Sequence, residues 1–81
     1  MDTQSIFETV RELLAHQLET DPKCITMDTD ILQDLGADSL DIVELIMSIE
    51  EEYDIVITNE SVSNMTKVGQ VVEYLEKILN K

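Results

Sequence analysis

Apolar residues recur at three- and four-residue steps in three blocks of this chain, and almost nothing interrupts them. Residues 4–19 carry Ile6, Val10, Leu13, Leu14 and Leu18, with Phe7 widening the stripe. Residues 39–53 carry Ile42, Leu45, Ile46, Ile49 and Tyr53. Residues 67–79 carry Val68, Val71, Val72, Leu75, Ile78 and Leu79. This is helical period. The chain has only two glycines and one proline in 81 residues, too few for a sheet built on tight turns. The expected fold is all-α: a small bundle of three main helices plus one short helical turn at 59–64. At this length, one domain over 1–81 is the expectation.

The ends of the blocks carry punctuation. Asp2 or Thr3 is placed to cap the first helix, and Thr66 the last. The first helix must stop before Asp21-Pro22, because the residue ahead of a proline is pushed out of the helical region. Asp38 is suited to cap the second helix. Asp41, three residues on, makes a capping box with Asp in place of Glu. Between the first two helices runs a long connection, 20–37. It contains Ile25, Met27, Ile31, Leu32 and Leu35, so it is expected to pack on the core, with one helical turn at 30–34. "YDIVIT", Tyr53 to Thr58, reads as a buried connection, since a lone strand has no partner. Gly69 sits inside the last helix at a cost of about 1 kcal/mol relative to alanine, for which the residues offer no account beyond close packing.

Charge narrows the function. There are 18 acids against 5 bases, a net charge of −13. Such a chain does not attract nucleic acid or an anionic membrane. No stretch approaches the roughly 18 consecutive apolar residues of a membrane span, and "MDTQSIFE" does not resemble a signal peptide. A soluble protein is expected, cytoplasmic or in an organelle after removal of a transit peptide, and a monomer. The single cysteine, Cys24, fits a reducing compartment and reads as small and partly buried. From Lys23 to Lys67 no base intervenes, while 11 of the 18 acids lie in that gap. A one-sign field of this size draws basic partners.

The second helix has more apolar surface than one core face uses. Leu40, Val43 and Met47 form a second stripe at i, i+3 and i+7, beside Asp41, Glu44, Glu51 and Glu52. One reading makes it a docking strip for a partner with a basic rim. The other packs Leu40 and Val43 under the long loop.

Ser39 opens this helix. A serine nucleophile needs a base oriented by a third group. The only histidine, His16, reads as a surface residue late in the first helix, and G-A-D-S-L-D is not a nucleophile elbow. No metal site is expected. "DTDILQD" starts like a calcium loop but has Leu32 at a ligand position and lacks the glycine, and zinc would need paired Cys/His ligands. What remains is position. Backbone N–H groups and the helix dipole favour a phosphate at a helix start, so the hydroxyl is suited to a phosphodiester. On local chemistry alone, an ordinary helix-start serine is the stronger reading.

The stretch "LGADSLDIVELIMSIEEEYDI", Leu35 to Ile55, closely resembles the modification region and second helix of bacterial-type, free-standing acyl carrier proteins. The likeness extends over about 3–79. It takes in Asp21-Pro22, the D-x-L-G before the serine and the final T-x-V…Y-L helix. The resemblance implies that Ser39 carries 4′-phosphopantetheine, transferred from coenzyme A by a phosphopantetheinyl transferase. The chain would then be a non-enzymatic carrier that presents acyl thioesters to the synthases, transferases, reductases and dehydratases of fatty acid biosynthesis. It implies basic docking surfaces on those partners, met by Asp38, Asp41, Glu44, Glu50 and Glu51, with Leu40, Val43 and Met47 as apolar contacts. It makes Leu45, Ile49, Ile57 and Leu75 candidate walls of an acyl pocket. The chain departs from the family pattern at Val56, where an acid is common, and at Ile57-Thr58-Asn59-Glu60, where proline and more acids are usual. A carrier of a specialised pathway, polyketide or other acyl transfer, is the alternative that departure raises. An unmodified acidic interaction module is the alternative from another class.

Overall fold

The computed structural model describes residues 2–57 and 65–79. Its helices are α1 (Thr3–Leu18), α2 (Ser39–Tyr53) and α3 (Val68–Leu79), with one 3₁₀ turn at Pro22–Cys24. The short turn expected at 59–64 lies outside the described residues. Among the described residues there is no strand, only a lone antiparallel bridge between Asp30 and Lys67. The helical bundle expected from the periodicity is therefore the observed fold. α1 packs against both α2 and α3.

Each helix buries the stripe its spacing marks out. Ile6, Val10 and Leu14 of α1 meet Leu45 and Ile49 of α2 and Val68, Val72 and Leu75 of α3 in one aliphatic core. Asp2 caps α1 by accepting from the Ser5 N–H at 2.8 Å. That bond and its neighbours hold the Asp2 carboxyl below its ordinary pKa. α1 and α2 both end on an acid in the left-handed region, Glu19 and Asp54, each with φ 54°.

The long connection is a structured part of the bundle. Ile25 and Ile31 are fully buried, and Met27, Leu32 and Leu35 pack half-buried against the core. The expected turn is present: the Asp34 N–H donates to the Asp30 carbonyl at 2.8 Å. Asp30 Oδ1 caps it through the Leu32 and Gln33 N–H groups. Three backbone bonds then stitch the loop to the start of α3. Ile31 N–H donates to Thr66 O at 2.7 Å, Val68 N–H to Thr29 O at 3.0 Å, and Gly69 N–H to Met27 O at 2.8 Å. A Cβ on Gly69 would sit 2.8 Å from that Met27 oxygen. This glycine, the second residue of α3, is there because a backbone passes too close for any side chain.

Three local expectations are corrected. The start of α3 is not capped by Thr66. The Gly69 N–H that such a cap would use goes to Met27, and Gln70 Oε1 instead reaches back to the Thr66 and Lys67 N–H groups. Cys24 is exposed rather than partly buried, because the 3₁₀ turn swings it outward. "YDIVIT" is not uniformly buried: Ile57 points inward while Val56 is 84% exposed, since an extended chain alternates its side chains.

Candidate functional site

The approach to α2 is set by one glycine and two carboxylates. Gly36 has φ +70°, a left-handed conformation that turns the chain toward the helix at little steric cost. The Ala37 N–H is pinned to Ile31 O at 3.2 Å, so the turn is anchored to the buried loop. Asp38 and Asp41 then form the expected capping box. Asp38 Oδ1 accepts from the Asp41 N–H at 3.0 Å, and Asp41 Oδ2 accepts from the Asp38 N–H at 3.1 Å. Gln17 of α1 donates its side-chain amide to the Asp41 carbonyl at 2.6 Å. The start of α2 is thus held from both sides by groups that leave Ser39 alone.

Ser39 is the first residue of α2 and is exposed. The Asp38 carbonyl accepts from both Asp41 and Ile42. Among the described residues, the Ser39 and Leu40 N–H groups have no acceptor. Exposed hydroxyl, free N–H pair and positive helix end therefore coincide. The two adjacent carboxylates oppose an added anion, but each already accepts a backbone N–H. Covalent attachment of a phosphate-linked group fits this geometry. His16 lies apart from it, in a groove of about 410 Å³ with Leu13, Gln17, Glu44, Met47, Ser48 and Glu51. That groove begins more than one helical turn beyond Ser39.

The second apolar stripe is open to solvent. Leu40 is 70%, Val43 45% and Met47 57% exposed, so the loop does not cover them. Glu44 and Glu51 are exposed beside them. Asp38, Leu40, Val43, Glu44, Met47 and Glu51 make one acid-rimmed surface that begins at Ser39. Glu50 is placed differently. It is half-buried, and its carboxylate accepts from the Ile57 N–H at 2.9 Å, which fastens the segment after α2 over the core. Leu45, Ile49, Ile57 and Leu75 all lie in the same buried cluster.

Two features escaped the residue pattern. One is the holding role of Glu50, which depends on where the chain returns seven residues later. The other is the His16 groove, which depends on how α1 leans on α2. Leu13 reads from its spacing as part of the core stripe, and nothing in the residue pattern sets it beside the exposed His16 and the half-buried Gln17 in a groove.

A family described as "Phosphopantetheine attachment site" matches residues 8–75. The chain is 48% identical over 71 residues to the acyl carrier protein of Clostridium acetobutylicum, covering 88% of this chain and 92% of that one. It is 43% identical over 72 residues to that of Helicobacter pylori, covering 89% and 92%. It is 39% identical over 74 residues to that of Campylobacter curvus, covering 91% and 96%.

Proposed function

Since the chain belongs to the acyl carrier protein family, we propose that Ser39 is the residue that bears its covalent 4′-phosphopantetheine. The observation that carries this is the exposed Ser39 hydroxyl, set at an open helix start by the Asp38–Asp41 box. The arm supplies a terminal thiol on which acyl groups are held as thioesters. The chain's own residues present that arm and catalyse nothing. Asp38, Leu40, Asp41, Val43, Glu44, Met47 and Glu51 meet partner enzymes that have basic rims, and Glu50 stands at the edge of that surface. Leu45, Ile49, Ile57 and Leu75 are buried together in the core, and an acyl chain inserts by parting them.

Acyl carrier proteins serve biosynthetic enzymes, and we read the pathway here as fatty acid biosynthesis in the cytoplasm, served by a monomer. The near full-length match to acyl carrier proteins and the acidic stretch around α2, without a base between Lys23 and Lys67, support it. Among the described residues, no helix is long and apolar enough to cross a membrane. One observation favours a specialised pathway instead: Val56, an exposed apolar residue where an acid is common.

The test is direct. Apo-protein is incubated with coenzyme A, Mg²⁺ and a broad-specificity phosphopantetheinyl transferase, and its intact mass is taken. A gain of one phosphopantetheine group is expected, and it disappears in Ser39→Ala. A gain that persists in Ser39→Ala overturns the assignment of the residue. Full partner function by Ser39→Ala would favour the unmodified interaction module. The mass of cargo on native protein separates the pathways: saturated acyl chains support the fatty acid reading, and polyketide-type cargo overturns it.

A further inference from the structure

A second groove, of about 380 Å³, lies between the N-terminal half of α1 and the loop after the 3₁₀ turn. Phe7, Arg11, Lys23, Ile25, Thr26 and Met27 line it. In a chain of net charge −13, two of the five bases share this one groove. Phe7 and Arg11 project roughly 150° around α1 from Leu13, His16 and Gln17, at 3.6 residues per turn. The groove therefore lies across the core stripe from the acid-rimmed groove that α1 forms with α2.

Arg11 is held in place. Its guanidinium carbon stands 5.1 Å from the centroid of the Phe7 ring, within cation–π range. Its Nε is covered and has no acceptor among the described residues. The Nη edge is the part left able to receive a ligand. A guanidinium fixed on an aromatic face loses little freedom when it takes a carboxylate or phosphate. Below it, Ile25 and Met27 give an apolar floor, and Thr26 is exposed at the side. The volume falls in the range of small-molecule sites, at the lower end.

We propose that this groove binds an amphipathic anion: a carboxylate or phosphate head between Arg11 and Lys23, with a short apolar body on Phe7 and Met27. Glu8, Glu12, Glu19, Asp21 and Asp28 are the acids nearest in sequence, and Glu76 and Glu8 are engaged at the rim by Thr3 and Gln4. The Asp21 carboxylate is already engaged by the Lys23 N–H at 2.9 Å. The acids of α2 lie across the core, and at physiological ionic strength charges more than about 8 Å away through solvent are largely screened. The local pair of cations thus outweighs the distant field. The site is independent of the attachment of phosphopantetheine to Ser39.

Titration of the full-length protein with hexanoate and, separately, hexyl phosphate tests it, read by amide ¹H–¹⁵N shifts. The expected result is saturable movement at Phe7, Arg11, Lys23, Thr26 and Met27 for at least one head group, with residues 39–51 of α2 unmoved. Arg11→Gln should weaken binding about tenfold, the loss of one charge-assisted pair. Lys23→Gln should weaken it less. Hexanol or inorganic phosphate binding as tightly as the amphipathic probes would overturn the proposal. So would shifts that never saturate, or titration curves unchanged in both variants, the behaviour of two bases merely lying along apolar surface. Should Arg11→Gln disturb the core resonances, Lys23→Gln, an exposed position in the short 3₁₀ turn, decides alone.

Discussion

The starts of α2 and α3 are built from the same local parts and end up with opposite fates. At each, a side chain three residues into the turn reaches back to a backbone N–H: Asp41 to Asp38, and Gln70 to Lys67. At α3 the next two N–H groups, of Val68 and Gly69, are taken by the loop carbonyls of Thr29 and Met27. At α2 the corresponding pair, of Ser39 and Leu40, has no acceptor among the described residues. One helix start is a joint and the other is an opening. A capped N-terminus is thus not a site in itself. It becomes one where the rest of the chain leaves its N–H groups and first side chains to solvent.

The largest expected effect at either helix start breaks the joint. In Gly69→Val the new Cβ lies 2.8 Å from the Met27 oxygen, a backbone atom that cannot swing away. Loop and helix must part, and the Gly69–Met27 bond is strained with them. Urea denaturation should show a loss of about 3 kcal/mol, the upper range for overpacking. Gly36→Ala is the counterpart at the opening. It meets no atom within 4 Å but is held at φ +70°, so it should cost about 1–2 kcal/mol from backbone strain alone. If the two changes cost the same, the loop–α3 joint is softer than its three bonds suggest.

The next effect separates two neighbouring acids that the sequence does not distinguish. Glu50→Ala leaves the Ile57 N–H without its acceptor in a partly buried setting. It should cost about 1–2 kcal/mol, as removal of one partner of a buried bond does. Glu50→Gln keeps an acceptor oxygen and should recover most of that loss. Glu51→Ala, on an exposed side chain, should stay within about 0.5 kcal/mol. Glu51 is expected to matter to partner binding instead, measured as slower association with a basic partner. Equal destabilisation by both alanine variants would remove the distinction.

How much of this was legible in the residues follows from which interactions are local. Helix spans come from side chains three and four apart, so 39–53 was readable to the residue and 4–19 and 67–79 to within one. The Asp38–Asp41 box is contained in four residues and was equally plain. The proposal of Ser39 as the attachment residue rests on the wider resemblance, because local chemistry fits any helix-start serine. What was not readable depends on distant chain. Gly69 needs the Met27 carbonyl 42 positions earlier, and Thr66 lost its capping role to that same carbonyl. Whether Leu40 and Val43 are covered depends on the path of the loop, which its alternation alone does not trace.

At the opening itself, Asp38→Ala should cost about 1 kcal/mol, the usual value of a lost N-cap. It removes the side-chain acceptor of the Asp41 N–H, leaving only its bond to the Asp38 carbonyl, with Ser39 in place. Modification of Ser39 by the transferase should slow, because the helix start that presents it is less often formed. A wild-type rate in a variant with the expected loss of stability would show that presentation does not rest on the cap.

The smallest expected effect on stability is also the sharpest test of the division within α2. Leu40 and Met47 belong to the same helix as Leu45, and by composition alone the three are interchangeable parts of an apolar surface. Leu45 is fully buried, and Leu45→Ala should cost 2–5 kcal/mol, the range for a buried leucine. Leu40 and Met47 are 70% and 57% exposed. Leu40→Ala and Met47→Ala remove side chains already largely in water, so each should move the unfolding free energy by less than about 0.5 kcal/mol. Alanine is also the better helix former, which offsets part of even that. The same two variants should weaken binding to a partner enzyme, by about tenfold for an anchor residue. Little loss of stability with clear loss of binding is the pattern of a surface kept apolar for something outside the chain. A loss of stability near that of Leu45→Ala would mean that the stripe is buried in solution. The opening at Ser39 would then be closed like the joint at α3.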